Sequence, residues 1–139
     1  MSGILSKGTK LSYTSATVTT PTEIKDMLEV PEMGGDPEQV DVTTLANSVR
    51  QYIPGVKDYG DLAFTFLYDN SSATSNFRIL KGLQESGETA SFTLEYPDGT
   101  KHEFDAQVNV KMGSTAVNGA LQFTATFYLQ SDIDITDPV

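Results

Sequence analysis

A chain of 139 residues with 19 acidic and nine basic side chains carries a formal charge of −10 and a pI near 4.3. That balance repels phosphate, because nucleic-acid binders concentrate lysine and arginine that displace counterions, and it disfavours anionic membrane surfaces too. With no cysteine, and with His102 as the only histidine, the sequence excludes disulfide staples, thiolate metal sites, cysteine nucleophiles and a metal cluster built on two imidazoles of one chain.

The length suits one domain over residues 1–139, burying roughly two-thirds of the surface that the unfolded chain exposes. A hydrophobic content of 38% and a charged content of 20% lie near globular norms. The opening Met1–Lys7 lacks the apolar run of a signal peptide, and no stretch approaches the ~18 apolar residues of a membrane span. A protein made in a cytoplasm, staying soluble or assembling there, is the expectation.

In chain order, short strands are predicted near Lys10–Tyr13, Glu23–Val30 and Gln39–Thr43. The stretch from Leu45 to Gly60 fits neither the helical nor the strand period. It reads as a loop that is long for a compact domain, and its Val49, Tyr52, Ile53 and Val56 make it sticky for a solvated connector. Leu62, Phe64, Phe66 and Tyr68 then alternate as one face of a strand. A helix follows, with cap oxygens at Ser72 to Ser75, an apolar stripe of Phe77, Leu80 and Leu83, and Gly87 at its end. Gly82 weakens it by about 1 kcal/mol relative to alanine.

The last third is patterned most clearly. Phe92, Leu94 and Tyr96 lead into the turn Pro97-Asp98-Gly99, so that Ser91 to Met112 reads as a hairpin. From Glu103 to Met112, Phe104, Ala106, Val108, Val110 and Met112 alternate with Glu103, Asp105, Gln107, Asn109 and Lys111. Leu121, Phe123, Ala125, Phe127 and Leu129 alternate with Gln122, Thr124, Thr126, Tyr128 and Gln130. Two half-buried strands of period two, joined by a turn-rich linker ending Asn118-Gly119, predict a long antiparallel hairpin. The fold class is mainly β: an antiparallel β-sandwich or part-barrel with one short α-helix.

Chemistry finds little purchase. His102 follows a turn at the start of a strand, where a satisfied or solvent-facing imidazole is the ordinary role and a catalytic base the exception. No nucleophile elbow, P-loop or His-Glu-x-x-His motif occurs. The tail Asp132-Ile133-Asp134-Ile135-Thr136-Asp137 lacks the glycine and the terminal glutamate that a calcium loop needs, so a solvated tail or an extra strand is expected. Six tyrosines without tryptophan make a weak glycan platform, Tyr68 and Tyr96 falling on apolar faces. No catalytic, cofactor or metal site is expected, and no enzyme.

The long hairpin shows no proline or bulge that would protect its edges. One solution is to continue the sheet into neighbouring copies until a ring closes, which turns one face into the wall of a water-filled channel. On that hypothesis Glu103, Asp105, Gln107 and Asn109 line the lumen.

Val40-Asp41-Val42-Thr43-Thr44-Leu45, followed by Arg50-Gln51-Tyr52-Ile53-Pro54-Gly55-Val56-Lys57-Asp58-Tyr59-Gly60-Asp61-Leu62, resembles the major tail tube proteins of long-tailed, siphovirus-type bacteriophages. The order of the later elements, a strand, a short helix and two final hairpin strands, is similar as well. The resemblance implies hexameric rings whose inner strands form a continuous barrel and which stack into a tail tube in the virion. It puts the inter-ring loop at residues 45–60, with contacts from Arg50, Tyr52, Ile53, Pro54 and Val56, and flexible arms at about 1–9 and 131–139. It implies copies of the same chain, the tape measure protein and tail terminator or baseplate proteins as partners, with DNA passing through unbound. An additional immunoglobulin-like domain carried by some relatives finds no room in this sequence. The same fold builds type VI secretion and contractile tubes. The rival from another class is a small β-sandwich binding module, glycan-binding or adhesin-like.

Overall fold

The computed structural model describes residues 7–34, 36–58, 62–113 and 119–138. In chain order these form β1 (Lys10–Thr14), β2 (Thr22–Ile24), β3 (Met27–Glu29), β4 (Asp36–Asp41), β5 (Tyr52–Asp58), β6 (Leu62–Leu67), α1 (Asn76–Ser86), β7 (Ala90–Glu95), β8 (Lys101–Met112), β9 (Gln122–Leu129) and β10 (Asp134–Thr136). The fold is mainly β, antiparallel, with one helix.

β8 organises the rest. Its first half pairs with β7, from Glu95 opposite Lys101 to Ala90 opposite Ala106, and its second half pairs with β9, from Ala106 opposite Leu129 to Met112 opposite Phe123. The two ladders meet at Ala106, so this one strand passes from the group β2-β1-β7 to the group β9-β6-β3. A strand shared by two groups makes a corner, and the sheet turns there around its own buried face.

A second corner brings the sheet ends together. β2 and β3 stand at opposite ends of the order β2-β1-β7-β8-β9-β6-β3, yet only Lys25 and Asp26 separate them in sequence. The curl is therefore nearly that of a closed barrel. The single strand predicted at Glu23–Val30 is two strands, because its first part pairs with β1 and its second with β6, and no straight segment can serve both. The bend sits at Asp26, whose φ of 63° is a left-handed conformation that aspartate tolerates better than most residues. Asn76, buried at the start of α1, pins the bend: its Nδ2 donates to the carbonyls of Lys25 and Leu67, both at 2.8 Å. The Leu67 N–H donates to the Asp26 carbonyl at 2.9 Å.

Period-two patterning became burial as expected. Phe64, Phe66, Phe92, Phe123 and Phe127 are fully buried, with Phe92 and Phe64 stacked on Phe127 at 4.5 and 4.9 Å between ring centroids. Met112 and Leu121 depart from the pattern and are exposed, since they flank the far end of the β8–β9 hairpin. α1 covers the core with Ile79, Leu80 and Leu83, while Phe77 meets Phe123 edge-on at 5.3 Å. Ser75 is its N-cap residue by backbone geometry alone, because its Oγ accepts from the Ser72 N–H instead of from the first turn. At the other end Gly87, with φ 70°, donates its N–H to the Leu83 carbonyl, the left-handed cap that glycine adopts at least cost.

Two expectations are corrected. The β8–β9 hairpin does not present bare edges. β7 and β10 flank the first half of β8, β6 lies along β9, and the Val110 N–H beyond the end of β7 donates to Gln84 Oε1 of α1 at 2.7 Å. And the long loop at 45–60 is in part a strand. Tyr52–Asp58 is a strand paired with Asp36–Asp41, forming a two-stranded ribbon that among the described residues has no ladder to the main sheet. Pro54 and Gly55 disguise it in the sequence. The ladder accepts Pro54 because a ribbon is all edge, and it pairs with Gln39 beside a shift in register.

Candidate assembly interface

The ribbon carries apolar side chains that the described residues of the subunit leave about half uncovered. Val40 faces Ile53 across the ladder, with Val42 two residues along on the same face, and these are 43%, 50% and 42% exposed. Gly55 lets the Val40 side chain lean inward, since a Cβ there would lie 3.1 Å from Val40 Cγ2. Tyr52 lies on the opposite face beside Asp41, and Leu45 and Val49 project near the tip. Isolated exposed apolar residues are ordinary, but a cluster on one projecting element marks a contact surface.

The tip is held by its own polar groups. Arg50 donates to Asp41 Oδ2 at 2.8 Å, while Asp41 Oδ1 accepts the Thr43 N–H at 2.9 Å. Hydrogen bonds from Thr43, then from Arg50, hold the Asp41 carboxyl below the usual carboxylate range. Asn47 Oδ1 accepts from both the N–H and the hydroxyl of Thr44, and the Gln51 N–H donates to Thr43 Oγ1. Of the residues expected to make contacts, Arg50, Tyr52, Ile53 and Pro54 thus share one exposed element. The Val56 side chain, like residues 59–61, lies outside the described residues.

The second surface is the outer face of the sheet, turned away from the aromatic core. Glu103, Asp105, Gln107 and Asn109 follow one another along it on β8. Strand register extends their face into rows that the sequence alone did not connect. One runs Glu23, Ser12, Thr93, Glu103, Asp134 across five strands, and another runs Lys10, Glu95, Lys101. Asp105 Oδ1 accepts from the Ser91 hydroxyl at 2.7 Å. Gln107 sits opposite Tyr128, and Asn109 opposite Thr126. Basic groups on this face are Lys111, Lys101 at the start of β8, and Lys10 on β1. The signal for these rows was the alternation Ser91, Thr93, Glu95, which only the register turns into a surface.

Grooves of about 340 and 310 Å³ on this face are lined by lysine, acidic and hydroxyl side chains together with Pro21, Phe92 and Phe104, and neither contains a tyrosine. Tyr68 and Tyr96 pack against the core. His102 is half-buried, its ring edge-on to Tyr96 at 5.1 Å, and burial pushes its pKa below the ordinary imidazole value. The acidic tail forms β10, with Asp134 opposite Glu103, and among the described residues no group of three or more potential ligands could hold a metal ion.

No curated protein matches the sequence. Among solved structures the fold is similar to a chain of the anti-feeding prophage baseplate, with a TM-score of 0.77 and 15% identity over 99% of this chain and 97% of that one. It is also similar to a chain from the tail of an empty gene transfer agent particle, with a TM-score of 0.75 and 14% identity over 96% and 99%. A third, from the sheath/tube terminator of an extracellular contractile injection system, gives 0.73 and 10% over 96% of each chain. A family model described as phage tail tube protein, TTP, matches residues 5–137. The chain belongs to this family of structural tail tube proteins, and it is not an enzyme.

Proposed function

We propose that copies of this tail tube subunit close into six-fold rings around a channel, and that the rings stack into the tube through which DNA leaves the particle. The observation that carries this reading is the division of the subunit into three surfaces: a buried aromatic face, a polar outer face spanning at least five strands, and a projecting ribbon with uncovered apolar side chains. A globular binding module has no use for the last. A ring that must stack on another does, because head-to-tail contacts continue without closing. The similar structures, a baseplate, a gene transfer agent tail with C6 symmetry and a sheath/tube terminator, support the same reading.

In this reading Arg50, Tyr52, Ile53, Pro54 and Val56 make the inter-ring contact, and Glu103, Asp105, Gln107 and Asn109 face the lumen. The work is passive. Charged groups along the outer face include Glu23, Glu29, Glu95, Glu103, Asp105 and Asp134 against Lys10, Lys101 and Lys111, an acidic excess that repels the phosphate backbone and lets a genome slide without adhering. Partners are copies of the same chain, a tape measure protein inside the tube, and terminator or baseplate proteins at its ends, in a virion assembled in the host cytoplasm. Negative-stain electron microscopy of the concentrated protein tests the reading. Rings or tubes with a stain-filled axis are expected, and dispersed single subunits under every assembly condition overturn it.

A further inference from the structure

We propose that β10 is an exchangeable strap, which covers the edge of β8 in the free subunit and is replaced there by β10 of a neighbouring copy in the assembled tube. The inference rests on the tube reading above and adds to it the segment, the acceptor and the exchange.

β8 is longer than the strands that flank it. On its β9 side the ladder stops at Ala106 opposite Leu129, which would leave residues 101–105 as an unpaired edge. The chain covers this edge with its own last segment. The Gln130 N–H donates to the Asp105 carbonyl, the Asp105 N–H donates to Ser131 Oγ, and Asp134, Ile135 and Thr136 pair with Glu103, His102 and Lys101. Pro138 then rests on Gly99, where a Cβ would lie 3.1 Å from the proline ring. An open edge in a soluble subunit recruits other strands, so a cover is needed before assembly.

The cover is built to come away. All three residues of β10 are exposed, Ile135 at 64%, and in the segment leading to it Ile133 packs only partly against the core, whereas every other described strand of the main sheet has at least one residue that is buried or half-buried. Asp134 lies directly opposite Glu103, a like-charge pair that works against the ladder. A segment with three paired residues and no buried side chain opens at little cost in free energy. The occupant that fits the vacated edge is another copy's residues 134–136, since register and side-chain contacts are then those already present in the subunit. Exchange of an identical element is a low-cost route to linking protomers. It also keeps subunits soluble until other contacts hold two of them side by side.

The absence of cysteine gives a clean background for the test. Lys101→Cys and Thr136→Cys introduce thiols on facing residues, and paired Cα atoms at about 5.5 Å lie within disulfide reach. Oxidised as free subunits, the double variant is expected to form an intramolecular link and run as a monomer on a denaturing gel without reductant. Assembled in reductant and then oxidised, it is expected to give a ladder of covalent dimers, trimers and longer chains. Intramolecular links alone in assembled tubes overturn the proposal, as does a variant that links in neither state. Locking the free subunit by oxidation is further expected to block tube growth, with recovery on reduction, and undiminished growth of the locked form overturns the exchange. Circular dichroism of the reduced variant confirms folding. If the parent protein makes no tubes, the tube reading fails first, and the two failures are told apart.

Discussion

Replacing Ile53 by aspartate is expected to leave the subunit folded and to abolish stacking. Ile53 is 50% exposed on a ribbon that has no ladder to the main sheet, and it does not belong to the core cluster. The cost to the free subunit is then that of an exposed strand position, within about 1 kcal/mol. Full burial of such a side chain is worth about 1.5–3 kcal/mol, so the half left uncovered is worth about 1 kcal/mol to an intermolecular contact. An aspartate held there must also shed its water without a partner, at several kcal/mol. Together they come to about 4 kcal/mol per contact, or nearly a thousandfold in association constant. Thermal unfolding of the subunit and counts of tubes in negative stain read the two effects separately. Tubes at parental yield from the variant would refute the placement of the ribbon between rings.

Other expectations follow from single contacts. Asn76→Ala leaves the Lys25 and Leu67 carbonyls without their donor and is expected to destabilise by about 2–4 kcal/mol in urea unfolding, a change below about 0.5 kcal/mol contradicting its role at the bend. Gly82 lies within α1 with nothing within 4 Å of an added Cβ, so Gly82→Ala is expected to stabilise by about 0.5–1 kcal/mol, read as a raised melting temperature. Burial holds the His102 pKa below its ordinary value of about 6.5, so the unfolded chain takes up this proton first. Its contribution to stability is present above that pH and is lost as pH falls through the folded value. His102→Gln is expected to flatten the decline of stability below about pH 6.5, and equal pH profiles for the two proteins contradict it. Glu103→Lys with Asp105→Lys puts phosphate-binding charge on the outer face, and particles carrying both are expected to eject DNA more slowly and with stronger salt dependence. Unchanged ejection counts against a lumenal position for this face.

How much of this was legible in the sequence depended on how local the cause was. Alternation over ten residues fixed which side chains of β8 and β9 are buried, and Gly87 marked the end of α1, because both are decided within a few residues. The ribbon was hidden by Pro54 and Gly55, which suppress the strand signal in Tyr52–Asp58 although a two-stranded element tolerates them. The bend at Asp26 was hidden because its cause is distant: β1 claims one half of the segment and β6 the other. The bare hairpin edges were wrongly expected for the same reason, since β10 and Gln84 cover β8 from positions that no local pattern connects to it. Alternation alone put Glu103, Asp105, Gln107 and Asn109 on the face of β8 turned away from buried Phe104, Ala106 and Val108. The rows that join them to Ser12, Glu23 and Thr93 needed the register.

The most direct test is a cryo-electron microscopy reconstruction of tubes grown from the purified protein. A hollow six-fold assembly is expected, with Glu103, Asp105, Gln107 and Asn109 on the channel wall and the Tyr52–Asp58 ribbon against the adjacent ring. A solid filament, or a tube whose channel is walled by other residues while this sheet face points to bulk solvent, would contradict it.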